Sequence, residues 1–181
     1  RLFLVRLPPD LETLRSVSQR KALFIKSILP LILHVNEQIE IDRLRIKKIK
    51  LRLLQGKRLK LDDHAWLQEK TQLYKMELFD FEELLLRHDI VPPSLALAQA
   101  IIESGWGTSR FARYGNAVFG QWTFKNGAGI VPRQRADGKQ HEVKTFKHLE
   151  ESVKQYVTNL NRHNAYREFR NQRAKMRLEA K

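Results

Sequence analysis

The sequence predicts a mainly α-helical protein with one small antiparallel β-lobe, which is an α+β class. Apolar residues at spacings of three and four recur along most of the chain, as they do in amphipathic helices. Between residues 118 and 146 the pattern alternates with period two, and Asn126-Gly127 and Asp137-Gly138 are hairpin turn signals within it. The length of 181 residues fits one domain with a helical extension.

The N-terminal region, residues 1–60, is predicted to be helical. Asp10 follows two prolines and can cap a helix that runs to about Leu29, after which Pro30 kinks the chain or restarts a helix. An apolar stripe then indicates a second helical stretch that ends at Gly56. The residues of this stripe are Ile32, Val35, Ile39, Ile46, Ile49 and Leu53.

The charge distribution indicates a protein drawn to polyanions, and the candidates are nucleic acid, an anionic membrane face or the acidic polymers of a bacterial envelope. The formal net charge is +14, and residues 1–60 carry 15 Lys and Arg against 5 acids. Residues 43–60 hold nine of these cations and no acid, which suggests either a solvated helix face or a surface for anionic envelope polymers or RNA. No aromatic residue interleaves the cations, and no nucleic-acid motif is present, so we expect no nucleic-acid binding.

The next segments are predicted to be helices that pack in the interior. A helix over about 62–77 begins with two aspartates, and a short helix from Phe81 to Arg87 follows Asp80. The segment 95–102 is apolar on almost every side, which predicts a buried helix. A last pair of helices is predicted around 149–160 and from 164 onward.

Glu103, at the end of that apolar helix, is the candidate catalytic residue. It lies beside Ile101 and Ile102 and just before Trp106, and such surroundings would raise the pKa of a carboxyl group, as a general acid for glycoside cleavage needs. The alternative is a structural glutamate that accepts hydrogen bonds from the loop amides after it. Nine of the sixteen aromatic residues lie between Trp106 and Tyr166, either as a small core or as a wall for sugar rings.

Several other chemistries are excluded or unsupported. The chain has no cysteine, which excludes disulfides, thiolate catalysis and Cys-based metal sites. The six histidines show no zinc-hydrolase spacing, and Ser104 is not in a Gly-x-Ser-x-Gly turn. No uninterrupted apolar run approaches the ~18 residues of a membrane span. We therefore expect no metal, no cofactor and a monomer.

The segment from Leu97 to Arg110, with Glu103-Ser-Gly-Trp-Gly at its centre, carries a resemblance to a known family. With Gly115-Asn116-Ala-Val-Phe-Gly120 it resembles the bacterial glucosaminidases of glycoside hydrolase family 73, which include the hydrolase domain of the flagellar rod-cap protein. The Phe-Gly-Gln-Trp sequence and the helical N-terminal part are most similar to the Bax-type members. The resemblance covers residues 80–169 well and the N-terminal half more loosely.

The resemblance implies a lysozyme-like fold, with a glucosaminidase-like domain over residues 61–181 and the basic helical region 1–60 before it. It implies cleavage of the β-1,4 bond after N-acetylglucosamine in peptidoglycan, without a metal, in the bacterial envelope. Glu103 matches the catalytic acid of the family. The residues expected to bind sugar are Trp106, Asn116, Phe119, Gly120, Trp122 and Tyr166.

Two departures from the family pattern bear on the mechanism. The second carboxylate of the family falls near residues 132–135, where this chain has no acid. Glu142 or Asp137 could substitute, with Glu142 favoured; the alternative for Glu142 is a surface residue that pairs with Lys144 or His141. Failing both, the acetamido group of the substrate could stabilise the anomeric carbon. The family also usually continues beyond this endpoint, so we expect a truncated C-terminal part.

Three further functions stay open at this point. A lytic transglycosylase would use the same acid, with an internal hydroxyl in place of water. A non-catalytic wall-binding module would fit the missing family acid. A nucleic-acid binder has the net charge alone in its favour.

Overall fold

A computed structural model describes residues 2–133, 135 and 138–179 of the chain. It contains seven α-helices, two short 3-10 helices and three β-strands within these residues. The helices are α1 (Val17–Leu54), α2 (Leu61–Leu73), α3 (Phe81–Arg87), α4 (Pro93–Ser104), α5 (Arg110–Gly115), α6 (Leu149–Arg162) and α7 (Arg167–Glu179). The strands are β1 (Trp122–Thr123), β2 (Gly129–Ile130) and β3 (Glu142–Lys144), and the 3-10 helices are Pro9–Glu12 and Asn164–Tyr166.

The predicted fold class is confirmed: the protein is mainly α with one small antiparallel sheet, of the lysozyme-like type. Strand β3 lies in the centre of the sheet, between β1 and β2, and both pairings are antiparallel. Trp122 pairs with Val143 in one ladder and Ile130 pairs with Val143 in the other. The strands are two or three residues long, so loops make up most of this lobe.

The N-terminal helix differs from the prediction in two ways. Asp10 lies in the 3-10 helix and does not cap α1, which begins at Val17. Pro30 lies inside α1, which continues without interruption to Leu54. Proline removes one backbone hydrogen bond from a helix interior, and burial of Ile28 and Leu31 on either side of it stabilises the continuous helix.

Helix α1 is also long and apolar enough to cross a membrane by the criteria of length and composition. Its most apolar stretch is 44% buried within the protein, and helices in the cores of soluble proteins meet the same criteria.

The chain divides into two compact units. The first consists of Arg1–Val35 and Val91–Tyr156, and the second of Asn36–Ile90 and Val157–Lys181. The sequence predicts a domain boundary at residue 60. The two units do not test that boundary, which stays a prediction.

The core of the first unit is built from the start of α1 and the elements after residue 91. Its fully buried residues include Leu11, Phe24, Ile28, Val118, Leu149 and Val153. The core of the second unit contains Ile46, Ile49, Leu67, Tyr74 and Leu84. The predicted apolar stripe of α1 is confirmed, since Ile32, Val35, Ile39, Ile46 and Ile49 are all buried.

Candidate active site

Glu103 lies one residue before the end of α4, and its side chain is exposed. The sequence predicted a buried helix here, and that prediction is wrong. Only Ala96, Ala100 and Ser104 of α4 are buried, while Ile102 is 71% exposed. One narrow face of small residues packs against the protein, so Glu103 faces solvent. Within the described residues no hydrogen bond or ion pair engages its carboxylate.

The Ser-Gly-Trp-Gly sequence after Glu103 ends the helix with an unusual backbone. Gly105, Trp106 and Gly107 all have positive φ, at 57°, 58° and 77°. The Trp106 amide donates to the Ile101 carbonyl, and the Ser104 hydroxyl accepts from the Gly107 amide at 2.8 Å. Gly107 lies so close to Phe24 that a Cβ atom would approach its ring to 2.8 Å. The loop therefore anchors the end of α4 against the core of the first unit.

The ring of Trp106 belongs to this anchor. It makes an edge contact with the buried Phe24 at 6.1 Å between centroids, and the Lys21 ammonium lies 4.9 Å from its centre. A left-handed tryptophan is a strained conformation that the surrounding contacts must stabilise. The contacts found here are structural, and a role of Trp106 in sugar binding stays a prediction.

Gly120 lies directly beside the Glu103 carboxylate. A Cβ atom built on Gly120 would stand 3.0 Å from Oε2 of Glu103, and the φ of Gly120 is 60°. Only glycine combines this backbone with space for the carboxylate. The structure thus brings together the two residues at the centre of the predicted motif.

Two of the predicted sugar-binding residues are buried. Phe119 is 7% exposed and stacks on Tyr156 with ring centroids 4.0 Å apart. Asn116 is buried at the left-handed end of α5, where its side-chain amide donates to the carbonyls of Phe146 and Lys147. Asn116 therefore ties α5 to the segment after β3. Both contacts are structural, and a role of Phe119 or Asn116 in sugar binding stays a prediction.

Trp122 has the environment expected of a sugar platform. It is 63% exposed on β1 and stacks on His141, with ring centroids 4.5 Å apart and planes 22° apart. Sequence analysis gave His141 no role in the site. The antiparallel register that pairs Trp122 with Val143 brings His141 close to the indole ring, and the sequence does not define that register.

Glu142 is 6% exposed, and its two carboxylate oxygens accept backbone hydrogen bonds within the β-lobe. Oε1 accepts from the Gly127 amide at 3.1 Å and Oε2 from the Gly129 amide at 2.8 Å. The alternative of a surface residue paired with Lys144 or His141 is therefore wrong. The contacts show Glu142 holding the turn between β1 and β2, and its role as the second carboxylate stays a prediction.

The last two predicted site residues, Tyr166 and Asp137, are not among the first-unit residues described above. Tyr166 belongs to the second unit, in the 3-10 helix before α7, where it makes an edge contact with His163. Asp137 lies outside the described residues.

Most other acids of the first unit are engaged. Glu12 pairs with Arg113, Glu150 with Lys154, and Glu151 accepts from the Lys147 amide. Asp10 lies in the N-terminal 3-10 helix. Among residues 2–133, 135 and 138–179, no group of three or more His, Asp or Glu is placed to hold a metal ion. The candidate site therefore consists of the Glu103 carboxylate, which has no partner among the described residues, Gly120 beside it, and the exposed ring of Trp122 two residues after Gly120.

Comparison with known proteins shows the family to which this chain belongs. The family model described as mannosyl-glycoprotein endo-beta-N-acetylglucosaminidase matches residues 80–181, and the chain belongs to this Glucosaminidase family. The chain is 35% identical over 171 residues to the protein named "Protein bax" of Escherichia coli (strain K12). That match covers 93% of this chain and 61% of the relative. No solved structure matches the chain significantly.

Proposed function

We propose that the protein hydrolyses the β-1,4 glycosidic bond after N-acetylglucosamine in peptidoglycan, as an enzyme of the bacterial envelope. The observation that supports this most is the position of Glu103. Its carboxylate is exposed at the end of a helix anchored in the core, and Gly120 leaves space beside it. The family model that matches residues 80–181 is described as an endo-beta-N-acetylglucosaminidase, which supports a substrate that contains N-acetylglucosamine.

In the proposed reaction, Glu103 protonates the glycosidic oxygen of the leaving group, and water completes the hydrolysis at the anomeric carbon. Trp122 stacks against a sugar ring and aligns the bond with Glu103, with His141 supporting the indole from its other face. The net charge of +14 favours association with an anionic wall polymer.

The contacts of Glu142 favour a reaction with one protein carboxylate. A carboxylate that accepts two backbone amides and is 6% exposed is poorly placed to activate water. In that case the acetamido group of the substrate stabilises the developing positive charge, as in substrate-assisted glycosidases. With a substrate-assisted mechanism, the proposed hydrolysis requires no second carboxylate from the protein.

Replacing Glu103 by glutamine tests the proposal. Glutamine keeps the size but cannot donate a proton at neutral pH, so we expect kcat on purified sacculi to fall by roughly 10²–10⁴-fold. The exposed side chain should leave the melting temperature unchanged. The matched control is Glu69→Gln, an exposed glutamate on α2 that should retain full activity.

Analysis of the muropeptides released from sacculi separates the possible reactions. Reducing N-acetylglucosamine ends support the proposal, whereas anhydro-muramyl ends would show a lytic transglycosylase. Binding to sacculi without any release would show a wall-binding module. If Glu103→Gln retained activity within threefold of the parent, Glu103 would not be the acid.

A further inference from the structure

The structure sorts the basic run of residues 43–60 into two groups. Four of its nine cations are engaged with acids inside the second unit: Arg43 with Asp89, Arg45 and Arg52 with Asp63, and Lys50 with Glu82. The other five have no ion pair among the described residues, and Lys47 and Lys48 are exposed on α1. The remaining three are Lys57, Arg58 and Lys60.

The free lysines flank a row of exposed apolar side chains on α1. Ile41 is 54% exposed, Leu44 66%, Leu51 57% and Leu54 76%. Spacings of three, seven and three place these four side chains on one side of a helix. We call the surface formed by these four residues with Lys47 and Lys48 the α1 outer face. Ile41 with Leu44 and Leu51 with Leu54 form two pairs of neighbouring exposed apolar side chains, and contiguous exposed apolar surface marks sites that bind a partner.

A polar pocket of about 330 Å³ borders the α1 outer face. It is lined by Arg45, Lys48, Ile49, Arg52, Lys60, Asp62 and Asp63. Asp63 engages both arginines, which leaves Lys48 and Lys60 available to an anion. Asp62 also lines the pocket and opposes an anion, but four cations against two carboxylates leave the lining net positive, which suits a phosphate group next to the exposed leucines.

We propose that the α1 outer face docks the protein on an anionic phospholipid surface. Leucine and isoleucine side chains enter the boundary between headgroups and acyl chains, while the lysines contact lipid phosphates. A soluble polyanion would pair with the lysines but would leave the leucine side chains exposed to water. A second copy of this chain would place lysines of like charge next to each other. An anionic bilayer can both bury the apolar side chains of the α1 outer face and pair with its lysines. The proposal does not depend on catalysis.

Sedimentation with phospholipid vesicles tests the proposal with the full chain. We expect binding to vesicles of phosphatidylcholine mixed with phosphatidylglycerol and much weaker binding to phosphatidylcholine alone. Lys47→Gln with Lys48→Gln should weaken partitioning roughly thirtyfold, because each cation close to an anionic surface contributes about fivefold. Leu44→Ser with Leu51→Ser should weaken it at least about tenfold.

Two matched controls remove the same groups elsewhere. Lys75→Gln with Lys147→Gln removes two exposed positive charges that do not lie on α1, and Leu78→Ser removes a leucine that is 83% exposed in the loop before α3. Both should bind anionic vesicles nearly as well as the parent. All substituted positions are exposed, and circular dichroism should report unchanged helix content.

Three outcomes would overturn the proposal. Equal binding to neutral and anionic vesicles would show that the lysines do not contribute to vesicle binding. Loss of binding in the lysine variant but not in the leucine variant would identify a site for soluble polyanions. A dimer in solution that the leucine variant abolishes, without vesicle binding, would identify a second copy as the partner. The Glu103→Gln variant should bind vesicles like the parent, which separates this test from that of the enzyme activity.

Discussion

At the scale of single residues, glycines define the space around Glu103. Gly105 and Gly107 allow the chain to turn immediately after the acid, and Gly120 comes within contact distance of its carboxylate. A Cβ atom at Gly120 would displace the Glu103 side chain or shift the segment before β1. The geometry of the acid therefore depends on a residue that has no side chain.

Replacement of Gly120 by alanine tests this dependence. The substitution places a Cβ atom 3.0 Å from Oε2 of Glu103 on a backbone with a φ of 60°. We expect kcat to fall by at least about tenfold, because a displaced acid transfers its proton poorly. The matched control is Gly138→Ala, which has a φ of 80° and open space around it. Both variants carry a backbone cost of roughly 1–2 kcal/mol in thermal unfolding, but only Gly120→Ala should lose activity. Equal losses of activity would show that strain alone is responsible.

How far the site could be predicted differs from residue to residue. Glu103 was identified from its apolar sequence neighbours and the family motif, although the structure leaves it exposed, and Gly120 was identified from the motif alone. Phe119 and Asn116 belong to the same motif, and the structure shows both side chains buried, which the motif alone does not indicate. His141 was missed because its contact with Trp122 depends on strand register. Motifs thus identify the neighbourhood, while the direction of each side chain is set by tertiary packing.

At the scale of elements, the β-lobe has little regular structure and depends on side chains. Its strands are two or three residues long, and β3 alone pairs with both neighbours. Period-two alternation predicted the sheet correctly but overestimated β1, which covers only Trp122–Thr123. Glu142 supplies two hydrogen bonds to the turn that joins β1 to β2. The buried Glu142 carboxylate therefore stabilises the turn between β1 and β2.

Glu142→Gln should lower stability more than activity per folded molecule. A glutamine carbonyl can accept from one of the two amides, but its NH₂ group cannot accept from the other, so a partly buried N–H loses its partner. We expect a loss of roughly 1–3 kcal/mol in urea unfolding. Glu151→Gln is the control, because the single hydrogen bond from the Lys147 amide can be kept. A fall in kcat as large as that of Glu103→Gln, without a loss of stability, would instead identify Glu142 as the second carboxylate.

At the scale of the whole molecule, much of the positive charge is structural. In the second unit Asp89 is buried and pairs with Arg43, Arg173 and Arg177. Burial lowers the pKa of Arg173 to about 10, with the Asp89 carboxylate opposing that shift. Composition could not separate such cations from the free ones, because pairing depends on residues up to 137 positions apart. Net charge alone therefore overstates the surface available to polyanions.

A buried polar cluster in the same unit makes stability depend on pH. The His88 ring lies between the Tyr74 hydroxyl at 2.6 Å and the Asp42 carboxylate at 3.1 Å. Burial lowers the pKa of His88 below its usual 6.5, a shift that the hydrogen bond to Asp42 opposes. Burial alone would raise the pKa of Asp42, but hydrogen bonds from His88 and Lys70 bring it below its usual value.

His88 should therefore reduce stability as the pH falls below about 6.5. In that range the unfolded chain takes up a proton on His88 that the folded chain does not, so the free energy of unfolding decreases with falling pH. Urea unfolding between about pH 7.5 and pH 5 should show this slope, and His88→Gln should flatten it. The exposed His64→Gln variant should keep the slope of the parent. The same slope in all three proteins would assign the pH dependence to other groups. A slope of opposite sign would mean that His88 is protonated in the folded state, with its attraction to Asp42 exceeding the cost of burial.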